Sequence, residues 1–100
     1  MVEIKDLLDT ADETIDKCKK ILEKKSKLYG TEFIGDLGLK GEFLQIHRKY
    51  TRLRQILWNG DNKNNGQESN DALNDALLDM INACIIIITL IKKENGKTKK

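Results

Sequence analysis

The chain has no proline, one histidine, two cysteines and only 5% aromatic residues, and each scarcity excludes a class of protein. Without proline, its long charged and aliphatic-rich stretches are interrupted only by glycine- or asparagine-marked breaks, so the expected class is all-α. One histidine and two cysteines are too few ligands for a zinc site. Cys18 and Cys84 fall at apolar positions of expected helices and read as small buried hydrophobes in a reducing compartment. A net charge of +2, with lysines interleaved among acids, makes nucleic acid an unexpected partner. "ACIIIITLI" at residues 83–91 is nine residues long, where a bilayer crossing needs about twenty, so no membrane partner is expected. The N-terminus "MVEIKDLLDT" is acidic and lacks the basic-then-apolar order of a secretory leader, which sets a cytoplasmic expectation. No P-loop is present, because "GDLGLKG" lacks the Lys-Ser/Thr ending.

One hundred residues, 39% hydrophobic and 34% charged, suit one small domain with a single modest core. Ile4, Leu8, Ala11, Ile15, Cys18, Leu22 and Tyr29 keep a three-four rhythm broken only at Lys25, which predicts a helix over about residues 3 to 29. Acids fill its first half and lysines its second, matching the helix dipole, and Asp16 with Lys20 sits at i,i+4. Gly30 suits the left-handed conformation that ends a helix. "TEFIGDLGLKG" reads as a structured loop anchored by Phe33, Ile34 and Leu37. A second helix is expected from about Leu39 to Trp58, with Leu39, Phe43, Ile46, Tyr50, Leu53 and Leu57 as its core stripe. "NGDNKNNGQ", residues 59–67, has no apolar residue and reads as a flexible loop.

Ser69 is the expected N-cap of a third helix. On it Leu73, Leu77, Met80, Cys84, Ile88 and Ile91 define the expected core face, with Asp71, Asp75, Asp79 and Asn82 on the opposite side. From Ala83 onward the helix is apolar in nearly every direction, and a three-helix protomer covers only one side of it. A homo-oligomer is therefore expected, built from a three-helix bundle-like protomer over residues 1–92. Residues 93–100 form a basic tail expected to be disordered.

Glu42, Gln45, Lys49 and Arg52 line one flank of the second helix, and an antiparallel third helix would bring Asp75 and Asp79 to the same groove. Carboxylates spaced i,i+4 repel one another, so a cation, a ligand or the Lys49 and Arg52 side chains should face them. A purely structural salt-bridge cluster satisfies the same spacing. His47 reads as a surface histidine.

Tyr29-Gly30 closing a lysine-rich helix, "LGLKG" at 37–41, Phe43, Lys49, "RL" at 52–53, and Asp75 and Asp79 within "DALLDMINACIII" together resemble the phage and prokaryotic nucleotide modification associated domain family, first type. That family is similar to the all-α nucleoside triphosphate pyrophosphatases. The resemblance covers about residues 20 to 91 and implies that Lys40, Lys49, Arg52, Asp75 and Asp79 meet a nucleotide, with Tyr29 beside them. Those pyrophosphatases hold magnesium with a glutamate cluster on one helix and an acidic pair on the next. Here Asp75 and Asp79 supply the pair, but the cluster is reduced to Glu42. The expectation is a small viral protein that sequesters a nucleotide or nucleotide-derived immune signal in the host cytoplasm without hydrolysis and without a cofactor. The alternative is a magnesium-dependent nucleotide pyrophosphatase, or an accessory factor in modified-nucleotide metabolism, with Glu42, Asp75 and Asp79 as metal ligands.

Overall fold

The computed structural model describes residues 1–30, 34, 36–59 and 66–98, with the side chains of the last stretch described over 70–96. Three helices are present and no strand occurs among the described residues. The first, α1, spans Ile4–Tyr29. Its start is fixed by the backbone N–H of Glu3, which donates to the Asp6 carboxylate at 3.0 Å. Asp16 and Lys20 form their i,i+4 pair at 3.1 Å. The helix ends at Gly30, whose N–H donates to the Ser26 carbonyl at 2.9 Å. Gly30 has φ 80° as expected of a terminating glycine, but its ψ of 153° is extended and not left-handed helical.

Helix α2 spans Gly38–Leu53 and runs into a π-helical turn at Arg54–Trp58. The Asn59 N–H closes that turn on the Arg54 carbonyl at 3.0 Å. A uniform helix to Trp58 was the sequence expectation; the wider turn shifts Leu57 and Trp58 off the period of the preceding stripe and buries Ile56 to 3% exposure. Helix α3 spans Gly66–Thr98, so it begins before Ser69 and remains helical six residues past the expected boundary at 92. Ser69 therefore lies inside the helix and is not its N-cap, and residues 66–67 of the expected loop are helical too; Phe33 and residues 60–65 lie outside the described residues.

α2 and α3 are antiparallel: Lys49 pairs with Asp79, while Glu42, one π-free helical stretch earlier, shares a wall with Ile86, further along α3. Their contact uses only part of the apolar stripes that the periodicity suggests: Ile46, Leu53, Leu73 and Met80 are half-buried. On α3 the buried positions are Ala76, Asn82 and Ala83, whereas Leu77, Ile88 and Ile91 are 41%, 55% and 45% exposed. Cys84, expected inside, is exposed. On α2 Gly41 is buried, while Phe43, Tyr50 and Leu57 of the expected core stripe are all more than half exposed. The interface has turned by roughly a quarter of a helical circle toward Asp79 and Asn82. Interaxial distance depends on the side chains at the contact, and alanine and glycine permit a closer approach than leucine and isoleucine do.

α1 crosses α3 near its middle, where Cys18 is fully buried and its thiol donates to the Leu78 carbonyl at 3.9 Å. Burial, and secondarily the negative charge of Asp79, pushes the Cys18 thiol above its ordinary pKa. The N-terminal half of α1 projects beyond the crossing with Ile4, Leu7 and Leu8 exposed. The molecule measures 53 × 30 × 25 Å, and its radius of gyration of 15.9 Å exceeds the ~13 Å of a compact domain of this length.

α3 is also, by length and composition, apolar enough over Asn70–Gly96 to cross a membrane, with a mean hydropathy of 1.8 in its most apolar window and only 17% of that window buried. Within it the charge-free run between Asp79 and Lys92 is twelve residues. Twelve helical residues rise about 18 Å, against a hydrocarbon thickness of about 30 Å.

Gly41 marks the tightest point of the fold, because a Cβ there would land on the Cβ of Leu37. Gly96, also helical, has nothing within 4 Å of an added Cβ. Gly41→Ala is therefore expected to lower unfolding stability by about 1–3 kcal/mol through overpacking. Gly96→Ala should instead be neutral or raise it by up to about 1 kcal/mol. Urea denaturation of the two variants checks the sign of each.

Candidate functional site

Where the C-terminal half of α1 passes the α2–α3 pair, the three helices enclose a cleft of about 540 Å³. That volume falls within the usual range for small-molecule sites. Leu22, Ile34, Ala83 and Ile86 supply apolar wall, and Tyr29 adds an aromatic ring at the edge. Polar groups come from all three helices: Lys25 from α1, Glu42, Gln45 and Lys49 from α2, Asp79 and Asn82 from α3. Spacing explains the convergence. Leu22, Lys25 and Tyr29 lie at i, i+3 and i+7 on α1, Glu42, Gln45 and Lys49 repeat that pattern on α2, and Asp79, Asn82 and Ile86 repeat it on α3.

The Lys49 ammonium lies 3.1 Å from the Asp79 carboxylate, with the two side chains 36% and 33% exposed. At that exposure the pair contributes on the order of 1 kcal/mol or less. It ties α2 to α3 at the floor of the cleft. Beside it Asn82 is only 4% exposed, and neither its amide nitrogen nor its amide oxygen has a hydrogen-bond partner. A buried amide left unpaired costs about 1–3 kcal/mol, and such exceptions are few in folded proteins. Asn82 thus carries one unpaired donor group and one unpaired acceptor just behind the wall of the cleft, both out of contact with solvent, and a guest meets them by drawing the side chain into the cleft.

Among the described residues the formal charges of the cleft cancel: Lys25 and Lys49 against Glu42 and Asp79. This is a polar, hydrogen-bonding pocket with apolar walls, not a cationic trap. Among the described residues no group of three or more histidine, cysteine, aspartate or glutamate side chains converges as a metal-binding set.

Of the residues singled out from the sequence, Tyr29, Lys49 and Asp79 line this cleft, as does Glu42 of the metal reading. Lys40, Arg52 and Asp75 are exposed and do not line it. Arg52 reaches along its own helix to the Gln55 side chain at 3.5 Å. Lys25 and Asn82 are the residues that site reasoning passed over. Both left a signal: Lys25 is the one break in the apolar rhythm of α1, and Asn82 is the one amide between Met80 and Ile88. Comparison with family models, with curated proteins and with solved structures finds no match to this chain.

If the vacant hydrogen bonds of Asn82 serve a ligand and not the fold, Asn82→Leu, close in volume and with nothing to satisfy, should stabilise the free protein. A gain of about 1–2 kcal/mol in urea denaturation is expected. Loss of stability would show that the amide is already satisfied.

Proposed function

We propose that the cleft binds a nucleotide or nucleotide-derived small molecule of low net charge and holds it without hydrolysing it. The observation that carries the reading is the buried, unpartnered amide of Asn82 beside the Lys49–Asp79 pair. A carboxamide offers a donor and an acceptor side by side, the complement of a nucleobase edge. Gln45 presents a second carboxamide to the same space. The apolar walls suit the faces of a base, and the carboxylates of Glu42 and Asp79 accept hydrogen bonds from ribose hydroxyls or base amines.

Charge balance narrows the class. A triphosphate would bring about four negative charges into a cleft whose described lining residues sum to zero, with desolvation of those charges unmatched. A monophosphate, a cyclic nucleotide or an ADP-ribose-type diphosphate asks for one or two cations, which Lys25 and a Lys49 released from Asp79 supply. The resemblance of "LGLKG" and "DALLDMINACIII" to the nucleotide modification associated domain family supports the same ligand class. Function by sequestration needs affinity and no catalytic group: binding a signalling nucleotide lowers its free concentration.

A magnesium-dependent pyrophosphatase is the second reading, favoured by Glu42 and Asp79 both facing the cleft. Asp75, its third ligand, is exposed and off the wall. One experiment separates the two. Calorimetric titration with a panel of nucleoside mono-, di- and triphosphates, cyclic nucleotides and ADP-ribose-type compounds, with magnesium present and phosphate release assayed in parallel, should give saturable binding of a low-charge member and no turnover. Asn82→Leu should weaken that binding about tenfold to a hundredfold, the equivalent of roughly 1.4–2.8 kcal/mol. An absence of binding at millimolar ligand ends the proposal, and phosphate release abolished by Asp79→Asn replaces it with the second reading.

A further inference from the structure

Asp79 and Asn82 stand three residues apart on α3, a spacing that puts their Cβ atoms about 5–6 Å from each other on one side of the helix. Both line the cleft, yet they are not bonded to one another. The Asp79 carboxylate is directed across the gap to the Lys49 ammonium on α2, at 3.1 Å, and the buried Asn82 amide has no partner at either polar atom. An ionised carboxylate only accepts hydrogen bonds, and an asparagine amide nitrogen offers two donors. The two side chains are therefore complementary, at a spacing where such bonds form readily along a helix.

The ion pair that holds Asp79 away from Asn82 is easily opened. Both of its side chains are about one-third exposed, so solvent screens their attraction, and the cleft gives an anion a path to the ammonium. That anion has to displace a carboxylate the chain itself keeps in place, at an effective concentration on the order of millimolar. A free monoanion has no advantage over Asp79. A phosphoryl group does, with a charge of about −1.5 to −2 and three acceptor oxygens.

We infer that the cleft takes up a phosphoryl group by an exchange of partners. Lys49 leaves Asp79 for the phosphoryl oxygens, Asp79 turns along α3 to accept an N–H of the Asn82 amide, and the Asn82 side chain is drawn into the cleft with its carbonyl open to the guest. The inference rests on the reading of the cleft as a site for a phosphate-bearing ligand, and it adds the class of anion admitted. Asp79 is a competitor built into the site, which shuts out monoanions such as chloride and acetate. Asn82 is a positioning residue that receives the carboxylate when the cation leaves. The exchange gives a partner to the one buried amide that the free protein leaves unpaired among the described residues, and it strands neither charge.

Pyrophosphate without magnesium is the probe, because it carries the anion and no base. Titrated calorimetrically into the full chain at millimolar levels it should bind, and acetate should not. Asp79→Asn frees Lys49 and should tighten pyrophosphate about fivefold. Glu42→Gln removes the same charge from the same cleft without freeing Lys49, and should tighten it by no more than about twofold. Asn82→Leu should weaken pyrophosphate about tenfold in the unaltered chain, and by less than about twofold when Asp79→Asn is also present. A spectroscopic readout needs no destabilising change: on addition of pyrophosphate to the unaltered chain, the Asn82 side-chain amide protons, assigned by their absence from the Asn82→Leu spectrum, should move downfield.

The exchange is overturned if Asp79→Asn tightens pyrophosphate no more than Glu42→Gln does, or if Asn82→Leu has the same effect in both backgrounds. Saturation with pyrophosphate that leaves the Asn82 amide resonances in place overturns it too, as does an absence of pyrophosphate binding by both the unaltered chain and Asp79→Asn. The nucleotide reading stands or falls separately. Nucleotides that bind no more tightly than pyrophosphate, with the exchange observed, end that reading and uphold the exchange, whereas tight nucleotide binding with additive Asp79 and Asn82 effects overturns the exchange alone.

Discussion

The antiparallel packing of α2 on α3, with Ala76, Asn82 and Ala83 buried on α3, is the constraint on which the rest of the structure depends. Ala76 and Ala83 are buried on α3 and Gly41 is buried on α2 against its own neighbour Leu37, while Ile46, Leu53, Leu73 and Met80 stay half-buried. Everything flanking the contact is then fixed by the 100° step. Lys49 reaches Asp79, Asn82 is carried out of water, and α1 closes the same side with Leu22, Lys25 and Tyr29. Phe43 and Tyr50 of α2 and Leu77, Ile88 and Ile91 of α3 are left exposed.

This arrangement separates two kinds of surface that an ordinary small bundle would merge. The cleft is charge-balanced among the described residues, with polar groups from three helices, while the exposed stripes of α2 and α3 are apolar. A protomer whose fully buried apolar residues among those described are Cys18, Ile56, Ala76 and Ala83 has little core of its own. The unpaired Asn82 sharpens the point, because a thin core is a costly place to keep an unsatisfied amide.

Much of the protein was legible in advance. The absence of proline and the three-four rhythms gave three helices whose limits differ from the observed ones by a residue for α1 and for the start of α2, and by more for the end of α2, where the chain turns π-helical after Leu53, and for α3. The pairing of Lys49 with Asp79 followed from antiparallel neighbours carrying complementary flanks. The rotation of the interface did not. Leu77, Cys84 and Ile88 obey helical periodicity as well as Ala76 and Ala83 do, and periodicity reports that a face is apolar without saying which neighbour covers it. Counting the larger side chains as the core assigned Asn82 to the outside, and so hid the residue on which the proposed site turns. Lys40, Arg52 and Asp75 were grouped with the cleft by helical flank and likeness, and a flank is broad enough to hold residues that never reach it.

What the sequence by itself determined is local: helix after helix, the polarity of each, the glycines that end or narrow them, and the existence of apolar surface beyond what three helices cover. Those properties follow from backbone propensity and the 3.6-residue turn, which act within a few residues of chain. Only the tertiary structure decided which stripe faces in, that Lys25, Lys49, Asp79 and Asn82 share one space, and that Cys84 lies outside. The azimuth at which two helices meet is set by how their side chains interlock across the gap, a property of pairs that no single helix carries.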